Sequence, residues 1–299
     1  MRSTRPIPPG TFLEPSELVL NPDGSAYHIA LRPEQVGDLV LVAGDPGRIR
    51  LISDQFEHVE LRTENREFVA HTGNYHGTRI TALSTGIGTD NIDIVLNELD
   101  ALVNVDLERR TPRGTHRSLR IVRLGTCGSL QPDIPVDARI VSSHGLGLDN
   151  VLHYYAHEQD ADERTLLQAF ESHTAWPDAL PHPYMAKGDP ALTALLAEGN
   201  HAGITATAGG FYGPQGRQVR LGTTVDGLND RFTSFRRGDL RIVNYEMETS
   251  ALYGLSALLG HRAATVCTVV ANRFLKKFSE DHHAAVKRMV GEVLERTTA

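Results

Sequence analysis

Short runs rich in β-branched residues recur along this chain, at 39–43, 80–84, 119–124, 139–142, 203–208, 241–245 and 264–271, with helical patterns between them. In 91–103, Ile94, Val95, Leu99 and Leu102 share one helical face, and in 248–259 Ala251, Leu255 and Leu259 do the same before Gly260 ends the run. A further helix is expected from about Asp281. Short strands alternating with amphipathic helices predict an α/β fold, with a largely parallel or mixed sheet covered by helices.

Nothing in the sequence divides the chain into halves. At 299 residues and 40% hydrophobic content it can bury one large core. The stretches poorest in apolar residues, 1–15 and 157–188, do not read as tethers. We expect a single domain over 1–299, with an N-terminal extension over about 1–20 and a surface insertion over about 144–188. A net charge of −7 argues against a global attraction to nucleic acid, so any anion must be held by a local cluster. Cys127 and Cys267 sit in or beside apolar strand-like runs and read as reduced thiols. Arg2 and Arg5 are followed by Pro6, Pro8, Pro9 and Gly10, not by an apolar signal core, and no apolar run approaches a membrane span. The expectation is a cytoplasmic protein.

The richest stretch chemically is 120–136. An apolar strand carries Arg123 near its end and is followed by Gly125, Thr126 and Gly128. A guanidinium fork, a hydroxyl and glycines that let backbone N–H groups approach an anion are the parts of a phosphate site at a strand end. A second strand-end turn, Gly44-Asp45-Pro46-Gly47-Arg48, is weak alone, but beside the first it gives two loops that each offer a glycine and an arginine.

Other segments divide between structural and functional readings. Residues 84–91 contain Gly86 and Gly88 before a helix but lack the third glycine of a dinucleotide fingerprint, and Asp90 or Asn91 as helix N-cap explains the polar end. His153 and His157 stand four apart without a Glu partner, so no metal is assigned to them. Glu246, Met247 and Glu248 open a helix, where acids serve as dipole partners or, alternatively, accept hydrogen bonds from sugar hydroxyls beside an apolar wall. Phe211, Gln215 and Arg217 form either a surface turn or a reader of a planar ring with two carbonyls and an N–H, on which Phe211 stacks.

Taken together, these motifs resemble the nucleoside phosphorylase superfamily of the hexameric purine phosphorylase and uridine phosphorylase type, and most closely its uridine phosphorylases. The likeness runs from about residue 26 to 273. It implies a central mixed, twisted β-sheet or barrel flanked by helices, and reversible phosphorolysis of uridine to uracil and ribose 1-phosphate. A purine nucleoside phosphorylase, a nucleosidase of the same fold and a non-catalytic nucleoside-binding relative are the alternatives.

By this resemblance Gly44, Arg48, Arg123 and Thr126 grip phosphate, with Arg66 reaching in from a neighbouring subunit. His28, also lent by the neighbour, binds ribose together with Glu246, Met247 and Glu248. Phe211, Gln215 and Arg217 read the base, and Arg123, Thr126 and Arg217 carry the catalytic roles. Asn272-Arg273 falls where purine-type members have a catalytic aspartate, which favours a pyrimidine. Inorganic phosphate is a co-substrate and no cofactor is implied. Asn91 replaces a Ser near the family's monovalent cation site, which also involves Glu67 and Ile87, and this puts the cation in doubt. The implied assembly is a homodimer or hexamer with active sites shared across the dimer interface.

Overall fold

Strand β1 (Leu39–Ala43) is followed by helix α1 (Pro46–Ser53) and by strands β2 (His58–Asn65), β3 (Phe68–Tyr75) and β4 (Thr78–Ser84). Helix α2 (Thr89–Asn104) leads through the short pair β5 (Val105–Asp106) and β6 (Thr111–Pro112) to the long strands β7 (Arg120–Ser129) and β8 (Arg139–Gly147). Then come α3 (Ala161–Thr174), β9 (Tyr184–Lys187), α4 (Pro190–Ala197) and β10 (His201–Thr207). After a long loop follow α5 (Leu228–Ser234), β11 (Arg236–Arg237), β12 (Leu240–Glu246), α6 (Thr249–Leu258), β13 (Arg262–Asn272), β14 (Lys277–Phe278) and α7 (His282–Thr298). This computed structural model describes residues 6–299, so Arg2 and Arg5 lie outside the described residues. Among the described residues no helix is long and apolar enough to cross a membrane.

The sheet is mixed and closes on itself. Its order is β11-β12-β10-β8-β13-β7-β1-β4-β3-β2, and β12 also pairs with β7, so β7, β13, β8, β10 and β12 form a barrel. Strands β1, β4, β3 and β2 extend outward from β7, with β1 parallel to both β7 and β4. The apolar alternation along β1 shows why it is central. Val40 and Val42 join the cluster under α2 and α6, while Leu39, Leu41 and Ala43 join the cluster under α1, α4 and α7. A strand covered on both faces must be apolar at every position, and all of β1 is buried.

Residues 144–188 contain the end of β8, α3 and β9. Phe170 and Tyr184 there are fully buried, and β9 pairs antiparallel with β8.

The structure corrects two local expectations and adds an unforeseen hairpin. The 119–124 strand does not end before the glycines, because β13 pairs with β7 as far as Asn272↔Ser129 and β12 meets it at Gly128 and Ser129. Gly125 and Gly128 therefore lie within a barrel strand, not in a phosphate loop. The N-cap of α2 is Gly88, at φ 101°, and not Asp90 or Asn91, which fall in the first turn. Its N–H donates to Glu248 Oε1 over 2.9 Å. The β2–β3 hairpin was not anticipated, since β2 alternates between exposed and half-buried side chains and carries no β-branched run.

Candidate active site

Because β1 and β7 are parallel neighbours, the turn after β1 lies against the middle of β7. Asp45 caps α1 by accepting from the Gly47 N–H over 2.9 Å. This sets Arg48 in the first turn of α1, where Nη1 donates to the Leu124 carbonyl over 2.8 Å. Arg48 and Arg123 are both buried, 9% and 4% exposed. They face a cavity of about 780 Å³ that is also lined by Gly44, Thr126, Phe211, Gln215, Arg217, Glu246, Met247 and Glu248. Two separated turns, a barrel strand, a helix start and a distant loop thus meet in one cavity.

At its inner end charges are paired. Arg123 Nη1 lies 3.1 Å from Glu246 Oε2, and Nη2 bonds Glu248 Oε2. Burial opposes the Arg123 charge, but Glu248 and Glu246 outweigh it and hold that guanidinium above its ordinary range. Arg48 is pushed down by burial and then by the Arg123 cation. Burial pushes the Glu246 carboxyl up, and Arg123 opposes that shift. Two buried cations thus face two buried anions, and an anion entering the cavity would compete with the carboxylates for the arginines.

The two glutamates do different work. Glu246 accepts from Thr207 Oγ1 at 2.6 Å, from the Glu248 N–H at 3.0 Å and from the Thr249 N–H at 3.0 Å. It anchors the start of α6, as the dipole reading of this acid anticipates. Glu248 accepts from the Gly88 N–H and from Arg123, so its carboxylate bridges the α2 start and β7.

The outer end is the 211–217 loop. A single 3-10 turn, Gly213–Gln215, ends at Gly216 in the left-handed region, φ 68°, where a Cβ would also press on Asn229 Nδ2 at 2.6 Å. Glycine is favoured there, and any side chain would be strained. The turn buries Gln215 to 3% exposure and brings Arg217 Nη1 to the Phe211 carbonyl at 2.7 Å and to Gln215 Oε1. The Arg217 pKa is lowered to about 10 by burial and then by Arg273, so the group remains cationic at neutral pH.

Residues 38–299 match the phosphorylase superfamily. The chain belongs to that superfamily. It is 31% identical over 271 residues to a uridine phosphorylase of Thermococcus kodakarensis, covering 86% of this chain and 81% of the relative. A DeoD-type purine nucleoside phosphorylase of Oceanobacillus iheyensis is 28% identical over 246 residues, 82% of this chain and 86% of the relative. A Trypanosoma brucei nucleoside phosphorylase, described as showing uridine phosphorylase activity, superposes with a TM-score of 0.87 at 32% identity, covering 94% of this chain and 100% of that one. The superfamily membership makes this chain an enzyme of the pentosyltransferase kind.

Two residues assigned by resemblance lie apart from the cavity of their own chain. Arg66, in the β2–β3 turn, has Nη2 3.4 Å from the Tyr27 hydroxyl and Cζ 5.5 Å from its ring centroid. His28 Nδ1 lies 2.6 Å from Glu98 Oε1, and its carbonyl accepts from Asn65 Nδ2 over 2.8 Å. His28 and Arg66 are thus neighbours of each other, joined through Tyr27 and Asn65. Glu67 and Ile87 do line the cavity, and the Ile87 carbonyl accepts from Asn91 Nδ2 at 3.3 Å.

The sequence reading missed Tyr245 and the side chain of Arg273. Tyr245 lines the cavity at 1% exposure. The Arg273 guanidinium lies with Cζ 5.3 Å from the Tyr245 ring centroid, its Nη1 buried without a protein partner. Asn272 points away: Nδ2 donates to the Gln131 and Ile134 carbonyls, and Oδ1 accepts from the Leu275 N–H. A cation one residue beyond a strand end was the available signal for Arg273.

The histidines separate into distinct surroundings. His153 lies in a 3-10 turn, Val151–Tyr154, and pairs with the His182 carbonyl, whereas His157 lies beyond that turn and pairs with the Tyr155 carbonyl. Asp100, His116 and His261 gather their polar atoms within 4.8 Å. There the Leu119 N–H donates to His261 Nδ1 at 3.2 Å, so a neutral ring carries its proton on Nε2, toward Asp100 at 3.3 Å. That tautomer leaves His261 no free lone pair for a metal.

Proposed function

We propose that this enzyme catalyses the reversible phosphorolysis of uridine to uracil and ribose 1-phosphate. One observation carries the reading: the cavity that holds Arg48, Arg123 and Thr126 at its inner end also holds Gln215 and Arg217 at its outer end, with Glu248 and Met247 on its wall. Inner and outer groups suit a phosphate and a ring bearing two carbonyls and an N–H, with the sugar between them.

In this reading phosphate takes its hydrogen bonds from Arg48, Arg123 and the Thr126 hydroxyl, and attacks the anomeric carbon as the glycosidic bond lengthens. The pentose becomes cationic in character, and Glu248 accepts from its hydroxyls. Gln215 and Arg217 stabilise the negative charge that grows on the departing base. Phe211 stacks on that base once Arg217 turns toward it. No side-chain nucleophile is needed: positioning and preorganised charge together lower the barrier by several kcal/mol. Glu246, already engaged by Thr207, Glu248 and Thr249, supports the site by fixing the α6 start and one side of Arg123.

The group formed by His28 and Arg66 supports a second part of the proposal. Placed outside their own cavity, they are free to complete the phosphate and ribose ends of a neighbour's site, in a homodimer or a larger assembly of dimers.

A direct assay of uridine, thymidine and inosine, each with and without inorganic phosphate, tests the function. Phosphate-dependent release of uracil exceeding that of hypoxanthine is expected. Faster cleavage of inosine would transfer the assignment to a purine phosphorylase, and cleavage independent of phosphate would make the enzyme a nucleosidase.

A further inference from the structure

We propose that Cys267 is a positioning residue for phosphorolysis, holding the Arg123 guanidinium through its sulfur. The inference rests on the phosphorolysis reading above and adds to it a role that belongs to β13, the strand beside the phosphate arginine.

Arg123 and Cys267 sit on adjacent parallel strands, with Cys267 opposite Gly125. Arg123 Nη1 donates to Cys267 Sγ over 3.4 Å, and the cysteine is 0% exposed, so water does not compete for this contact. Gly125 makes the contact possible. A Cβ at that position would stand 2.1 Å from Arg123 Nη1 and 2.7 Å from Cys267 Sγ. The glycine in the middle of a barrel strand thus has a steric reason: it leaves the space in which guanidinium meets sulfur.

The three partners of the guanidinium are not equivalent. Glu248 is the group that turns to the pentose hydroxyls when nucleoside binds, which loosens its hold on Nη2. Glu246 is fixed by three neighbouring donors, and Cys267 is fixed by its strand. Nε has no protein partner. In the loaded site the orientation of Arg123 therefore depends on Glu246 and Cys267. Sulfur is a weaker acceptor than a carboxylate, so it orients the fork while competing less with phosphate for the guanidinium than a third carboxylate would.

The test compares Cys267→Ala and Cys267→Val, which remove the acceptor with two different volumes, and Cys267→Ser, which restores one. Readouts are KM for phosphate, KM for uridine, kcat, thermal midpoint, and direct binding of inorganic phosphate by titration calorimetry. The expected result is a rise of about fivefold or more in phosphate KM and Kd in both the Ala and Val variants, with uridine KM within twofold of wild type and phosphate affinity recovered in Cys267→Ser. Unchanged phosphate affinity in the Ala and Val variants overturns the proposal. So does an equal rise in both KM values with a fallen thermal midpoint, because that is the mark of packing alone. A serine variant no better than alanine overturns it as well. Wild-type enzyme assayed first separates the two levels: absence of phosphate-dependent cleavage removes the phosphorolysis reading and this inference with it, whereas normal phosphorolysis with unaltered variants removes only the role of Cys267.

Discussion

The guanidinium of Arg217 lies over the Phe211 ring, Cζ 3.9 Å from the ring centroid, while its Nη1 donates to the Phe211 carbonyl. The 211–217 loop is thereby closed on itself, and its aromatic face is covered by the cation proposed to contact the base. Arg217→Ala should lower kcat/KM for uridine by roughly 30-fold to 1,000-fold, the equivalent of about 2–4 kcal/mol for a lost charged donor to the departing base. Phosphate KM should stay within twofold. Steady-state kinetics with each substrate varied in turn checks this, and undiminished uridine turnover would remove Arg217 from base recognition.

Glu248→Gln keeps the volume of the side chain but weakens its acceptance of charged and sugar donors. Uridine should therefore lose more rate than 2′-deoxyuridine, which lacks one of the hydroxyls. Parallel losses on both substrates would confine Glu248 to its bonds with Gly88 and Arg123.

Glu246 makes a contrasting prediction. Its removal in Glu246→Ala leaves the Thr207 hydroxyl, the Glu248 and Thr249 N–H groups and one side of Arg123 without their acceptor, all of them buried. Loss of a buried charged acceptor of this kind typically destabilises by about 3–5 kcal/mol. Chemical unfolding should show that loss, whereas a group serving only the sugar would change kinetics and leave stability as it was.

His144 gives the fold an acid-sensitive point. Burial, and then the Lys187 cation, lower its pKa to about 4 from an ordinary 6.5, with Ser143 Oγ 3.0 Å from Nδ1. Since the unfolded chain takes up this proton first, the group costs no stability above pH 6.5 and costs progressively more as pH falls toward 4. The full window corresponds to at most about 3 kcal/mol. Unfolding free energies measured between pH 7 and pH 4 should fall more steeply for wild type than for His144→Gln, and identical slopes would show that His144 does not govern the acid limb.

The placement of Arg66 outside its own cavity predicts complementation. Arg66→Ala and Arg123→Ala subunits, each inactive alone, should regain activity when mixed under conditions that exchange subunits, because one site of each mixed dimer then has both arginines. Proven exchange without regained activity would confine Arg66 to its own chain.

Part of the cavity lining was legible in the sequence because Arg48, Glu246 and Glu248 sit at a strand end or a helix start, where local pattern is strong. The apolar run of β1 and the Gly-Asp-Pro turn after it announce Arg48, and the run into Glu246 announces the α6 start. Other elements gave a weaker signal. Asp160 and Glu163 form a capping box that marks the beginning of α3, yet the polar stretch around it hid the helix. Strand β2, half in solvent, had no apolar alternation strong enough to read.

By itself, then, the sequence determined which chemical groups are present and the alternation of strands and helices, since both follow from residue type and local periodicity. Tertiary structure alone decided which groups meet. Pairing of β7 with β13 from Cys267 to Ala271, and with β12 at Tyr245, carries the Gly-Thr-Cys-Gly run into a barrel strand and overrides the turn propensity of glycine. It also sets Gly125 beneath an arginine and a cysteine far apart in sequence, a steric need that no local pattern records. Asn272 and Arg273 are adjacent in the chain, but the strand end turns one amide into the 131–134 backbone and the other residue's guanidinium toward Tyr245. That division depends on the direction each side chain leaves the backbone, which is fixed only when the sheet closes.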